Sequence, residues 1–279
     1  LAIATLIAAG PLDASRVDML ATELAAATQW QGSRTAVRMT TGHDVAALRE
    51  ALDGLEAIDA IVHDHEGPPA LFLADMDSTM IGQECIDELA AEAGVGDRVA
   101  EITERAMQGE LDFEGALRER LALLEGLDTA VIEHLLATRI VPNAGARDLV
   151  QGLKAAGTRT VLVSGGFTAF ADPVGRALGF DRVVANRLEV VNGRLTGGVD
   201  GPIVDGAVKR AVLVEERAAR SGPVVAIGDG ANDLPMLGEA DLGIAYRAKP
   251  KVAAAADARL DHGDLESLLW SLAPQGLSA

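Results

Sequence analysis

Four short apolar runs, Leu71–Ala74, Thr160–Val163, Val224–Ile227 and Leu242–Tyr246, are separated by longer stretches in a chain of 279 residues. Runs that are apolar throughout, rather than alternating, belong to strands buried on both faces. Parallel strands of that kind need crossover connections, usually helices. The sequence therefore specifies an α/β fold, a Rossmann-like, doubly wound parallel sheet with helices on both faces. Such sheets bind ligands beyond the carboxyl ends of their strands. Between the second and third runs, Val183–Val191 and Arg194–Val204 flank Asn192-Gly193, which predicts a hairpin projecting from the sheet edge. Residues 86–137 read as a long helical block, with Leu117, Leu121 and Leu124 on one stripe.

Residues 1–66 read differently, as a small α+β unit of three strands (Ala2–Ala8, Thr35–Thr40, Ile58–Asp64) and two helices (Ala14–Ala27, Asp44–Leu52). In the first helix Val17, Leu20, Leu24 and Ala27 form an apolar stripe that must pack on a sheet. Gly67-Pro68-Pro69 interrupts regular structure and predicts a linker at 67–69, with a second domain from Ala70. The start, Leu1–Ala9, is too short to span a membrane and lacks a signal peptide's basic flank. It reads as a strand of a cytoplasmic protein with no membrane partner.

Composition narrows the function. With 24 Lys and Arg against 42 Asp and Glu, the net charge of −18 repels a phosphate backbone, and 3% aromatics supply few stacking platforms, so nucleic acid is excluded as a partner. Cys85 is the single cysteine, which rules out an intramolecular disulfide and fits a reducing compartment. Its plain reading is a small packed side chain.

Polar residues stand where the predicted strands end. Leu71–Ala74 runs into Asp75-Met76-Asp77-Ser78-Thr79, and Val224–Ile227 into Gly228-Asp229-Gly230-Ala231-Asn232-Asp233. Thr160–Val163 runs into Ser164-Gly165-Gly166, and Lys209 follows the hairpin. Each alone has an ordinary reading: a solvated turn, a helix N-cap, a surface lysine. Together they offer carboxylates for a hard cation such as Mg²⁺, and a hydroxyl, close-approach glycines and an ammonium for phosphate.

In this order on strand ends, DMDST, SGG, a lysine and GDGAND resemble the haloacid dehalogenase superfamily of aspartate-nucleophile phosphatases. Glu84–Ala90, Arg118-Glu119-Arg120, Val163–Phe167 and Ala185–Leu188 extend the resemblance to its phosphoserine phosphatases, over about residues 70–272. The resemblance implies a core of residues 70–81 and 141–279 with a helical cap, 82–140, inserted after the first strand. It implies Asp75 as nucleophile and Asp77 as acid and base. Mg²⁺ would be held by the Asp75 and Asp229 carboxylates and the Asp77 carbonyl, with Asp233 and Asn232 around the ion and Lys209. Ser164, the Gly165 N–H and Lys209 would bind phosphate. Glu84 would take the ammonium and Arg120 the carboxylate of O-phospho-L-serine, with Arg118 as the rival arginine. Met107 and Phe113 would line the cap's inner wall, plain cap packing being the other reading of both. Thr79 would orient Asp77 or cap the following helix.

Residues 1–66 are similar to the regulatory ACT domains fused to some members, although three strands are counted where that fold has four; dimerisation or L-serine sensing follows from that likeness. Alternatives are a related enzyme acting on phosphohomoserine or another small phosphomonoester, and a non-catalytic phospho-aspartate signalling module. The acid at Asp77 and the cap-sized insertion speak against the signalling module. His63-Asp64-His65-Glu66 contains metal-ligand types, but a polar strand end is the simpler reading. Trp30 and Trp270 read as packing residues.

Overall fold

The computed structural model describes residues 1–31, 33–108 and 110–273; positions 274–279, included in the core range above, lie outside the described residues. The chain opens with β1 (Ala2–Ile7), α1 (Ala14–Glu23), β2 (Ala27–Trp30), β3 (Ala36–Thr41), α2 (Val45–Leu52) and β4 (Asp59–His63). Asp13 and Asp44 start the two helices, accepting the Ser15 N–H at 2.9 Å and the Ala47 N–H at 2.8 Å. The strands form one antiparallel sheet in the order β2-β3-β1-β4.

This unit has four strands, where the sequence reading counted three. The first helix stops at Glu23, Ala25 turns the chain at φ +45°, and Ala27–Trp30 becomes a strand. That strand is a short, largely exposed sheet edge, so it carries no buried alternation for a periodicity argument to find. Ala27, assigned to the helical stripe, is exposed on it, while Val17 and Leu24 are buried.

The second half builds on β5 (Leu71–Ala74), followed by α3 (Cys85–Glu92), α4 (Gly96–Met107), α5 (Phe113–Ala122) and α6 (Ala130–Thr138). Next come α7 (Ala146–Ala155), β6 (Arg159–Phe167), α8 (Thr168–Leu178), β7 (Arg182–Val191), β8 (Arg194–Asp200) and α9 (Gly206–Ala218). β9 (Val224–Gly228), a 3₁₀ turn at Ala231–Asp233, α10 (Leu234–Leu237), β10 (Leu242–Tyr246), α11 (Pro250–Ala253), β11 (Ala258–Leu260) and α12 (Leu269–Leu272) complete the described chain. The seven strands are ordered β11-β10-β9-β5-β6-β7-β8. All neighbours are parallel except β7 and β8, the hairpin at the edge. Its turn has positive φ at Asn192 (+52°) and Gly193 (+75°), the conformation for which Asn-Gly is selected.

Helices α3–α6 all lie between β5 and β6, and Leu117, Leu121 and Leu124 are buried among them. The chain leaves and re-enters the sheet layer side by side: Gly82 N–H donates to Val141 O at 3.1 Å, and Asn143 Nδ2 donates to Thr79 O and Ile81 O at 2.8 and 3.1 Å.

The two sheets meet. β4 lies against β11, and α12 packs on β1 and β3. Asp59 on β4 accepts the N–H groups of Asp261, His262 and Gly263 at 2.9, 2.9 and 2.8 Å. The face of the first sheet turned from α1 and α2 is covered as well, so all six residues of β1 are buried. Ile7, Ala36 and Ile61 join the same apolar core as Phe72, Leu260, Leu268, Leu269 and Leu272.

Candidate active site

Three parallel strands and one helix deliver the motif residues to one place. Asp75 and Asp77 follow β5, Ser164–Gly166 close β6, Asp229 follows β9, Asn232 and Asp233 sit in the 3₁₀ turn, and Lys209 is on α9. Asp205 starts α9 by accepting the Val208 N–H at 2.9 Å, which places Lys209 in the first turns. Lys209 is fully buried, its ammonium 2.7 Å from Asp75 Oδ1 and 2.7 Å from Asp233 Oδ1. The Asp233 contact is a directed hydrogen bond, whereas Asp75 Oδ1 has charge beside it but no aligned donor. Asp233 Oδ2 accepts the N–H groups of Asp229 and Gly230 at 3.1 and 2.9 Å. Thr79, buried, donates to Asp229 Oδ1 at 3.0 Å; it neither orients Asp77 nor caps a helix.

Asp77 faces another way. Its Oδ1 accepts the Cys85 N–H at 3.1 Å, and its Oδ2 lies 3.5 Å from Ser164 Oγ, which accepts the Gly166 N–H at 2.8 Å. A Cβ at Gly166 would run into Asp77 Oδ2, so glycine is the side chain this approach permits.

Electrostatics leaves the cluster short of positive charge. Burial, then the charge of Asp233, pushes the Asp75 carboxyl well up against the pull of Lys209. Burial raises Asp77, and burial with the Asp233 charge raises Asp229 to about 6. Burial acts to lower Lys209, but the Asp233 and Asp75 charges outweigh it and hold the ammonium protonated. Asp75, Asp229 and Asp233 each bring a carboxylate oxygen within 4.8 Å of the others, the one such group among the described residues. All-oxygen donors and unbalanced negative charge fit a hard divalent cation. Asp233 belongs to that triangle, but its two oxygens already serve Lys209 and two amides; Asp77 enters the triangle with no carboxylate oxygen.

The residues assigned to the amino-acid end are partly assembled. Glu84 accepts from Ser78 Oγ at 2.6 Å, and its carboxyl is lifted to about 7 by desolvation and by Asp77. Arg120 is half-buried, its Nε donating to Ala116 O at 3.2 Å, and it faces the charges of Asp87 and Glu84. Arg118 instead pairs with Glu114 at 2.7 Å on the surface. Phe113 and Asn232 flank Gly165: a Cβ there would lie 2.9 Å from Phe113 Cζ and 3.5 Å from Asn232 Nδ2. Met107 is not brought into this group; it ends α4 and is 62% exposed.

Sequence reasoning missed Ser78, which holds Glu84 from a left-handed conformation, φ +54°, inside the DMDST motif. It also missed Cys85, which is packed as expected but supplies Asp77 with its main-chain N–H. The His63 and His65 rings are stacked, 4.0 Å apart and 17° from parallel. Their in-plane lone pairs therefore do not converge on one ion, and the histidines lie at the contact with α12, where His63 Nε2 is 3.2 Å from Ser271 Oγ. Trp30 and Trp270 both pack there, lining one small hollow.

A haloacid dehalogenase-like hydrolase family model matches residues 72–238, and a second model of the same description matches 210–270. The phosphoserine phosphatase of Archaeoglobus fulgidus is 48% identical over 202 residues, 71% of this chain, and the chain spans only 58% of that protein's length. That of Streptococcus thermophilus is also 48% identical over 202 residues, covering 71% of this chain and 94% of the relative. Among solved structures, a hydrolase of the haloacid dehalogenase family from Salmonella enterica serovar Typhi superposes with a TM-score of 0.85 at 28% identity, over 99% of this chain and all of that one. No helix among the described residues is long and apolar enough to cross a membrane.

Proposed function

The chain belongs to the haloacid dehalogenase-like hydrolase family, and from that premise we propose that it is a phosphoserine phosphatase, converting O-phospho-L-serine and water to L-serine and phosphate. The observation that carries this reading is the pairing of Asp75, ion-paired to a buried lysine, with Asp77, whose carboxyl is raised by burial and held by Cys85 and Ser164. Phosphoryl transfer needs positioning and charge stabilisation above all. Asp75 attacks phosphorus, forming an aspartyl-phosphate as the bond to the seryl oxygen breaks. Asp77 gives its proton to that oxygen, then takes one from the water that attacks the phosphorus of the intermediate and frees Asp75. Lys209, Ser164 and the Gly165 N–H offset the charge on the phosphoryl oxygens. The Asp75 and Asp229 carboxylates and the Asp77 carbonyl would hold Mg²⁺, which would supply further charge neutralisation when bound.

In this reading residues 70–81 and 141–279 form the catalytic core and 82–140 the cap. Glu84 and Arg120 select the substrate, one anion for its ammonium and one cation for its carboxylate, while Phe113 over Gly165 excludes water. Met107, exposed at the end of α4, is not part of that wall in this arrangement. The enzyme supplies serine in the cytoplasm, and residues 1–66 mediate dimerisation or sense L-serine, which sedimentation and serine titration of the full chain test.

The main experiment measures phosphate release from phosphoserine, phosphothreonine, phosphohomoserine, phosphoethanolamine and p-nitrophenyl phosphate, each with Mg²⁺ and with EDTA. Mg²⁺-dependent preference for phosphoserine is expected. Equal activity on all would leave a phosphatase without this substrate assignment, and inactivity on all would remove the reading.

A further inference from the structure

We infer that Asn186 is a positioning residue that sets the phosphate-binding turn and the helix carrying Lys209 against each other; the inference rests on the phosphatase reading above. Asn186 lies on β7 and is 1% exposed. Its Nδ2 donates to Gly165 O at 2.8 Å, and its Oδ1 accepts the Val204 N–H at 2.7 Å. One amide thus has each end assigned, and its orientation follows from the two backbone groups it meets.

The need for such a residue lies in the ladder. β6 and β7 pair through Val163 and resume at Phe167 opposite Asn186, with a register shift between, so residues 164–166 stand out of the pairing. The Gly165 carbonyl in that stretch finds the Asn186 side chain. A trans peptide points its C=O and N–H in opposite directions. Fixing Gly165 O toward β7 therefore aims the Gly166 N–H away from it, where it meets Ser164 Oγ at 2.8 Å. That hydroxyl is the group 3.5 Å from Asp77 Oδ2.

The other end acts on the lysine. Val204 precedes Asp205, the residue that starts α9 by accepting the Val208 N–H. Lys209 follows on the same helix and reaches both Asp75 and Asp233. The side chain of Asn186 thus bridges by hydrogen bonds the two elements assigned to the phosphate, fixing their orientation where the apolar packing of α9 on β6 is non-directional.

Asn186→Asp tests this, because it keeps size and the acceptor for Val204 N–H but sets a carboxylate oxygen against Gly165 O. Asn186→Ser, too short for either contact, carries the same readouts should the first variant fail to fold. Inorganic phosphate binding to the full-length Mg²⁺-loaded protein is measured by calorimetry, with kcat and KM on phosphoserine and p-nitrophenyl phosphate and the melting temperature. The expected result is phosphate binding at least tenfold weaker and kcat at least tenfold lower on both substrates in folded protein. A lowered melting temperature with phosphate affinity, kcat and KM within twofold of wild type would make Asn186 a structural residue and overturn the inference. If wild type binds phosphate but leaves phosphoserine intact, the substrate reading fails while the binding comparison still judges Asn186.

Discussion

At Asp75 two demands conflict: a nucleophile must be ionised, and a nucleophile shielded from water is hard to ionise. Burial and Asp233 raise its carboxyl, and the ammonium at 2.7 Å is what opposes them. Asp75→Asn keeps the shape, removes one of the crowded charges and leaves Lys209 paired to Asp233. Turnover should fall by at least ~10³-fold with an unchanged circular dichroism spectrum; near-native activity would refute covalent catalysis. Arg120→Ala should raise KM for phosphoserine by ~10–100-fold, the scale of a lost charge partner, and leave p-nitrophenyl phosphate untouched. Equal losses on both would place Arg120 outside the amino-acid end. Asp75, Asp77, Ser164, Lys209 and Asp229 were legible because each stands at a strand end or beside a motif in the linear text. Ser78, Cys85 and Asn186 were not, since what they do depends on a left-handed turn, a main-chain N–H and a register shift, none of which residue type reveals.

The elements most visible in the sequence are those buried on both sides. β5, β9 and β10 are buried at every position and read as apolar runs, while β2 is mostly exposed and, apart from Ala27 at the end of the predicted helix, is assigned to no element by the sequence. β4 ends in a residue whose chemistry depends on its neighbours. His63 is held neutral by burial, with the His65 and Arg38 charges adding to it, and its pKa is lowered to about 3. Ser271 of α12 and the stacked His65 ring face it. Above its ordinary value near 6.5 the imidazole is neutral folded or unfolded, so its contribution is complete there. As pH falls below 6.5 only the unfolded chain takes the proton, and stability declines down to pH about 3. At pH 5 the loss relative to pH 7 is about 2 kcal/mol. The raised carboxyls of Asp75, Asp77, Glu84 and Asp229 act with the opposite sign, gaining stability as they protonate in the fold. The measurement is therefore a difference: urea midpoints at pH 7 and 5 for wild type and His63→Gln. The variant should lose less stability on acidification, and an identical decline in both would show that His63 does not titrate across folding.

At the scale of the whole molecule, a proline-containing linker read from sequence suggested two bodies on a tether, and the packing describes something more tightly joined. Ile7, Ala36 and Ile61 of the first sheet share a core with Phe72, Leu260, Leu268 and Leu269, and Arg49 reaches Asp257 at 2.8 Å across the junction. An antiparallel sheet with helices on one side ordinarily presents its other face to solvent or to a partner. Here α12 and the segment before it cover that face, a contact between residues more than two hundred positions apart that no local pattern could announce. The match to the Salmonella hydrolase over 99% of this chain indicates that the two sheets are a shared architecture. Separating the halves would expose a continuous apolar surface, so they should unfold together, and scanning calorimetry of the full chain should give one transition. Asp59→Ala tests the joint directly, because it leaves the amides of 261–263 without their charged acceptor. Removing hydrogen bonds to a charged group should destabilise the whole chain by about 3 kcal/mol or more, lowering the single melting temperature by roughly 5–10 °C. Two resolved transitions in the wild type would mean that the halves unfold independently, and a variant that melts where the wild type does would mean that Asp59 does not hold the joint.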